Sequence, residues 1–127
     1  MPMYADISEQ YRELLKGLRP IGDPAAASIE RSVPGVPHDY LAFLQEVGWG
    51  GLGESRFMIY EGPVEAQEVY PGLEQVWLFG DDFAGYAAGF DERAMWAVVE
   101  ADPRGSLSES APTFNDFIRR KLLELSG

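Results

Sequence analysis

The residues able to do chemistry in this chain are few. There is one histidine, His38, and no cysteine among 127 residues. The missing cysteines exclude disulfide scaffolds, thiol nucleophiles, iron–sulfur clusters and cysteine-held zinc. A single imidazole excludes any mechanism that needs two within one chain. His38 stands just inside a helix start, where the helix dipole disfavours the imidazolium. With Asp39 beside it, capping or solvating that helix suits it better than general-base work. Two carboxylate pairs, Asp81-Asp82 and Asp91-Glu92, fall in successive turns. Such pairs can run glycoside hydrolysis or hold Ca²⁺ or Mg²⁺. No EF-hand spacing follows either pair, and Asp after a strand is ordinary turn chemistry. The run Gly48-Trp49-Gly50-Gly51-Leu52-Gly53 has the composition of a phosphate loop. It lacks the Lys-Ser/Thr of a P-loop and follows a helix rather than a strand. No serine sits in a Gly-x-Ser-x-Gly elbow. The sequence therefore implies no catalytic residue, no cofactor and no bound metal.

What remains is aromatic and acidic. Trp49, Trp77, Phe83, Tyr86, Phe90 and Trp96 mostly follow strand spacing and belong in a core. Trp49 and Phe83 fall in turns and are expected to be exposed. Asp and Glu number 21 against 10 Lys and Arg, a net charge of −11. The excess is segregated. Residues 61–102 hold ten acids against one base, Arg93, a net of −9, and the rest of the chain carries −2. This balance excludes a binder that tracks nucleic-acid phosphates and a polybasic membrane-surface module. The acid either solubilises the surface or steers a basic partner into contact. Exposed aromatics ringed by carboxylates are the make-up of a protein-binding hot spot. The candidate partner-binding residues are Trp49, Asp81, Asp82, Phe83, Asp91 and Glu92.

A fold has to position these groups. A chain of 127 residues, 46% hydrophobic and 13% aromatic, suits one domain with a real core. The N-terminus lacks the basic and apolar regions of a signal peptide, and no stretch approaches the roughly 18 apolar residues of a membrane span. A cytoplasmic protein, monomeric or weakly dimeric, is expected. Asp6-Ile7-Ser8-Glu9 looks like a capping box opening a helix that carries Tyr11, Leu14, Leu15 and Leu18. Asp23-Pro24 opens a second, short helix, with Asp23 as its N-cap. Pro37 pre-sets a third, with Tyr40, Leu41, Phe43, Leu44 and Val47 on its apolar stripe and Gly48 as its stop. Residues 48–53 are expected to be irregular. Strands are expected over 57–60, 75–79, 86–90 and 95–100, broken by Glu61-Gly62-Pro63, Gly80-Asp81-Asp82 and Asp91-Glu92-Arg93. Residues 102–112 look like a polar loop. Thr113-Phe114-Asn115-Asp116 opens a closing helix, in which Arg119, Arg120 and Lys121 fall late. The fold class is α+β: a mainly antiparallel meander of about four to six strands, flanked by N-terminal helices and a C-terminal helix.

Several short pieces, in order, resemble the SMI1/KNR4 (SUKH) superfamily. Val36-Pro37-His38-Asp39-Tyr40-Leu41-Ala42-Phe43-Leu44 is similar to its "LP-x-DY-x-x-FL" helix, and Gly48-Trp49-Gly50-Gly51 to its "NGG" turn. Val76-Trp77-Leu78-Phe79-Gly80-Asp81-Asp82-Phe83-Ala84-Gly85 resembles its apolar strand and Gly-Asp-Asp turn. Gly89-Phe90-Asp91 with Trp96-Ala97-Val98-Val99 resembles the next hairpin, and Thr113-Phe114-Asn115-Asp116-Phe117-Ile118 the closing helix. The family's Asn before Gly-Gly is replaced here, and Tyr86 stands where relatives often carry Asp. The resemblance covers about residues 24–125. It implies a single α+β domain over residues 1–127 without a catalytic site. Bacterial relatives are chiefly immunity proteins that bind and neutralise a toxin, often a nuclease; fungal ones act as interaction proteins in signalling. The expectation is thus an intracellular immunity protein binding a basic toxin domain. A regulator or scaffold without a toxin partner is one alternative, and a small carboxylate-based or divalent-metal enzyme the other.

Overall fold

After Glu46 the chain changes from helices to a sheet, and beyond Gly53 the apolar residues change from helical to two-residue spacing. The computed structural model describes residues 2–127. Four helices come first: α1 (Ala5–Gln10), α2 (Arg12–Leu15), α3 (Asp23–Ser32) and α4 (His38–Glu46). Six strands follow: β1 (Gly50–Leu52), β2 (Phe57–Glu65), β3 (Val76–Asp81), β4 (Ala87–Asp91), β5 (Ala97–Ala101) and β6 (Leu107–Ala111). Helix α5 (Phe114–Ser126) closes the chain. The strands form one antiparallel sheet in sequence order. This is the α+β meander that the sequence implies.

Alternation along the strands divides the core. Phe79, Ala88, Phe90 and Val98 point to the helical side, where Tyr40, Phe43 and Leu44 of α4 and Phe114, Phe117 and Ile118 of α5 are buried with them. The Phe79 ring lies 5.0 to 5.2 Å from those of Phe90, Phe114 and Phe117, the last two edge-on. Their neighbours Val76, Leu78, Ala87 and Val99 point the other way. Among the described residues no α-helix contributes to that second cluster. It is completed by Tyr60, Ala66, Tyr70 and Leu73, from β2 and the β2–β3 connection.

Several expectations are corrected. The first helix does not run unbroken over 6–18, because Tyr11 (φ −113°, ψ 36°) interrupts it. Asp6 is not its N-cap. The carboxylate of Glu46 in α4 accepts the N–H groups of Met3 and Tyr4 at 3.0 and 2.8 Å, and Asp6 instead meets Arg119 Nη1 at 2.6 Å. Tertiary partners have displaced the local cap. Helix α3 begins one residue early, so Gly22 rather than Asp23 is its cap. The glycine run at 48–53 is not wholly irregular: Gly50, Gly51 and Leu52 pair with Ile59, Met58 and Phe57. Gly48 is needed as a glycine, since at φ +121° a Cβ would overlap the Arg19 carbonyl. That close approach lets Trp49 exchange backbone hydrogen bonds with Arg19, at 2.9 and 3.0 Å.

Glu61-Gly62-Pro63 breaks the register, not the strand. Pairing jumps from Ile59–Gly80 to Val64–Leu78, with Pro63 inside the bulge where its missing N–H costs nothing. Strand β5 starts at Ala97 rather than 95, because Met95 and Trp96 sit in left-handed turn conformations (φ 56° and 60°). Residues 102–112 are not one loop, since β6 pairs with β5 through Leu107 to Ala111. As an edge strand with only Ala111 buried, β6 has no apolar alternation to announce it. Arg119, Arg120 and Lys121 lie mid-helix in α5, where Arg119 covers the Tyr4 ring and Lys121 the Phe57 ring. The cap of α5 is as expected, with Thr113 Oγ1 accepting Asp116 N–H at 3.1 Å.

Candidate functional site

The turn between β3 and β4 is built by its acids. Asp81 Oδ1 accepts the N–H of Phe83 at 2.9 Å. Asp82 Oδ1 accepts those of Ala84 and Tyr86 at 2.8 and 3.1 Å. The turn between β5 and β6 repeats the device: Asp102 Oδ1 accepts Arg104 and Ser106 N–H, each at 2.9 Å. Gly85 and Gly105, three residues after Asp82 and Asp102, take φ +100° and +86°. Asp-x-x-Gly is therefore a turn signature used twice. Tyr70 docks onto this end of the sheet, its hydroxyl 3.3 Å from the Gly85 carbonyl that accepts it.

The first turn holds Phe83 in a left-handed conformation (φ 64°) with 54% of its surface exposed. Tyr86 is 49% exposed. With Tyr60 and Tyr70 they wall a cleft of about 370 Å³ floored by Leu78, on the face that no α-helix covers. Tyr60 donates to Asp81 Oδ2 at 2.6 Å. Burial, then this hydrogen bond and the Asp81 charge, push the Tyr60 hydroxyl above the ordinary tyrosine value of 10.0. Burial, then the charges of Asp102, Asp81 and Asp82, push Tyr70 the same way. Both remain neutral phenols in an anionic setting.

Of the six candidate residues, Asp81, Asp82 and Phe83 come together here. Asp91 and Glu92 lie at the opposite end of β4: Asp81 pairs with Ala87 and Asp91 with Val76, four strand steps or about 13 Å away. They too hold local structure. Asp91 Oδ1 accepts Arg93 N–H at 3.0 Å, and Glu92 Oε1 accepts Trp77 Nε1–H at 2.6 Å. The two carboxylate pairs do not converge. Trp49 joins neither, being partly buried against the helical-side core. His38 opens α4 beside Glu30 and Gln45, also on the helical side. Among the described residues no three His, Asp or Glu side chains are grouped to hold a metal ion, and no helix is long and apolar enough to cross a membrane.

Tyr60, Tyr70 and Tyr86 line the cleft, and Asp102 lies close enough for its charge to act on Tyr70, but none of the four is among the sequence candidates. Their signals were present: Tyr60 follows the core residue Ile59 and must face the opposite side, and Asp102 repeats the Asp82 turn spacing. No family model, no curated protein and no solved structure matches this chain.

Proposed function

We propose that the chain is a protein-binding module of the SMI1/KNR4 kind, an immunity protein that neutralises a basic toxin domain in the cytoplasm of the cell that makes it. One observation carries this reading: an aromatic cleft with exposed Phe83 and Tyr86, lined by Asp81 and flanked by the Asp82 and Asp102 turns, on a sheet face that no α-helix among the described residues covers. Aromatic anchors inside a charged rim are what a protein interface needs. The acid-rich segment 61–102 runs from the second half of β2 to the turn after β5, and none of its ten acids is buried. Its field favours fast encounter with a cationic partner. Binding there would block the toxin sterically or by presenting carboxylates where nucleic-acid phosphates would lie.

The test is capture from the producing cell at about 0.05 and about 0.5 M salt, a range over which charge attraction is progressively screened, followed by identification of the retained protein. The expected product is a basic protein held at low salt and released at high salt. Expressed alone it arrests growth, and co-expression of this chain restores it. Retention of only acidic proteins, or a partner whose expression does not affect growth, refutes the toxin reading.

A further inference from the structure

We propose that the cleft beside the β3–β4 turn receives one arginine side chain of the basic partner, held between aromatic rings and the Asp81 carboxylate. The inference rests on the function proposed above and names its anchor. Four rings, those of Tyr60, Tyr70, Phe83 and Tyr86, line the cleft. Ring faces attract cations, and a guanidinium stacks on them while its planar fork meets a carboxylate. Asp81 is placed for the fork. Each of its oxygens accepts one hydrogen bond, Oδ1 from Phe83 N–H and Oδ2 from the Tyr60 hydroxyl, which leaves each oxygen a further acceptor site. Asp82 contributes charge, its Oδ1 being taken up by the turn.

Among the described residues no lysine or arginine lines the cleft. The chain's ion pairs among the described residues join Lys16, Arg119, Arg120 and Lys121 to Glu13, Asp6 and Glu124, and none involves Asp81, Asp82 or Asp102. The size is selective as well. A volume of about 370 Å³ is at the low end for ligand pockets and suits one long side chain rather than a helix. The charge complementarity points to a cation, and the rings together with the two-oxygen acceptor point to arginine over lysine.

The experiment titrates the whole chain with tri-arginine and with tri-lysine peptides, following backbone amide resonances. Arginine peptide is expected to shift Phe83, Ala84 and Tyr86 and to bind several-fold more tightly than the lysine peptide. Phe83→Ala, an exposed site, and Asp81→Asn, which keeps an acceptor for the turn, should each weaken it about fivefold, the scale of one exposed cation–π contact. Glu13→Gln, on α2, should leave it unchanged. Equal binding of the two peptides, shifts confined to Glu65, Glu74 and Trp77, or no effect of Phe83→Ala in a variant with wild-type melting overturns the proposal. If a captured basic toxin binds the Phe83→Ala variant undiminished, the anchor is refuted while the proposed function stands. If the arginine peptide binds the cleft but no toxin is captured, the anchor stands without it.

Discussion

Replacing Asp39 tests whether one carboxylate ties two helices together. Asp39 lies in the first turn of α4, where its Oδ1 accepts Tyr40 N–H at 2.9 Å. Its Oδ2 accepts the N–H of Asn115 at 2.8 Å, 76 residues later. Asn115 is the second residue of α5, so its N–H has no acceptor within that helix. The negative charge thus sits against the positive ends of two helices at a half-buried position. A hydrogen bond to a charged group contributes about 1.5–3 kcal/mol, and leaving the Asn115 N–H without its acceptor costs at least about 1 kcal/mol while the Thr113 cap stays in place. Asp39→Ala should therefore cost about 3 kcal/mol. At about 2.1 cal/mol/K of unfolding entropy per residue, that lowers Tm by about 11 °C for 127 residues. Asp39→Asn keeps one acceptor oxygen and should recover about half. Urea unfolding measures the loss as a lower midpoint at unchanged slope. A loss below about 1 kcal/mol for the alanine variant would refute the two-helix account, since neither orphaned N–H would then have depended on the carboxylate.

Three further outcomes follow from the same packing. The Tyr40 ring packs against those of Phe79, Phe90 and Phe114, and its buried hydroxyl has no hydrogen-bond partner among the described residues, so Tyr40→Phe should be neutral or raise stability by about 1 kcal/mol; thermal melting checks it, and a fall of more than about 1 kcal/mol would sink it. Gly48→Ala combines φ +121° with overlap of the Arg19 carbonyl and should cost more than about 3 kcal/mol, seen as loss of the cooperative transition near ambient temperature. Burial pushes the hydroxyls of Tyr4, Tyr40 and Tyr60 above 10.0. The folded chain therefore keeps protons that the unfolded chain releases, and this stability is complete below about pH 10 and lost as pH rises through the folded-state values. Absorbance at 295 nm with circular dichroism should show these three of the six tyrosines ionising only as the fold melts; ionisation of all six at pH 10 with the fold intact would contradict it.

How legible each part was depended on whether its cause is local. Helix α4 and the cap of α5 were readable because their apolar stripe, Pro37, Gly48 and Thr113 act within a few residues. The acid turns were readable for the same reason. Asp81 and Asp82 bond to amides two to four residues ahead, so their sequence position is already their geometry. What failed was set by distant partners. Asp6 looked like a cap, but Glu46 does that work and Asp6 faces Arg119. Strand β6 is held by pairing to β5 and buries only Ala111, so composition alone made it a loop. Trp49, in a glycine run, looked exposed, but its backbone pairing with Arg19 turns it against the core.

The cleft shows the same division within one site. Its turn residues came from local spacing, whereas Tyr60 and Tyr70 reach it from β2 and the β2–β3 connection, which only sheet pairing brings alongside β3 and β4. The charge pattern also acquires a mechanism at this level. Arg119, Arg120 and Lys121 are bound on the helical side to Asp6, Glu124, Tyr4 and Phe57 and to Ser110. The acids of residues 61–102 have one base among them, Arg93, whose guanidinium donates to the Glu74 carbonyl rather than to a carboxylate. Arg119, Arg120 and Lys121 thus help to fasten α5 through Tyr4, Asp6, Phe57 and Ser110, and none of them pairs with an acid of residues 61–102.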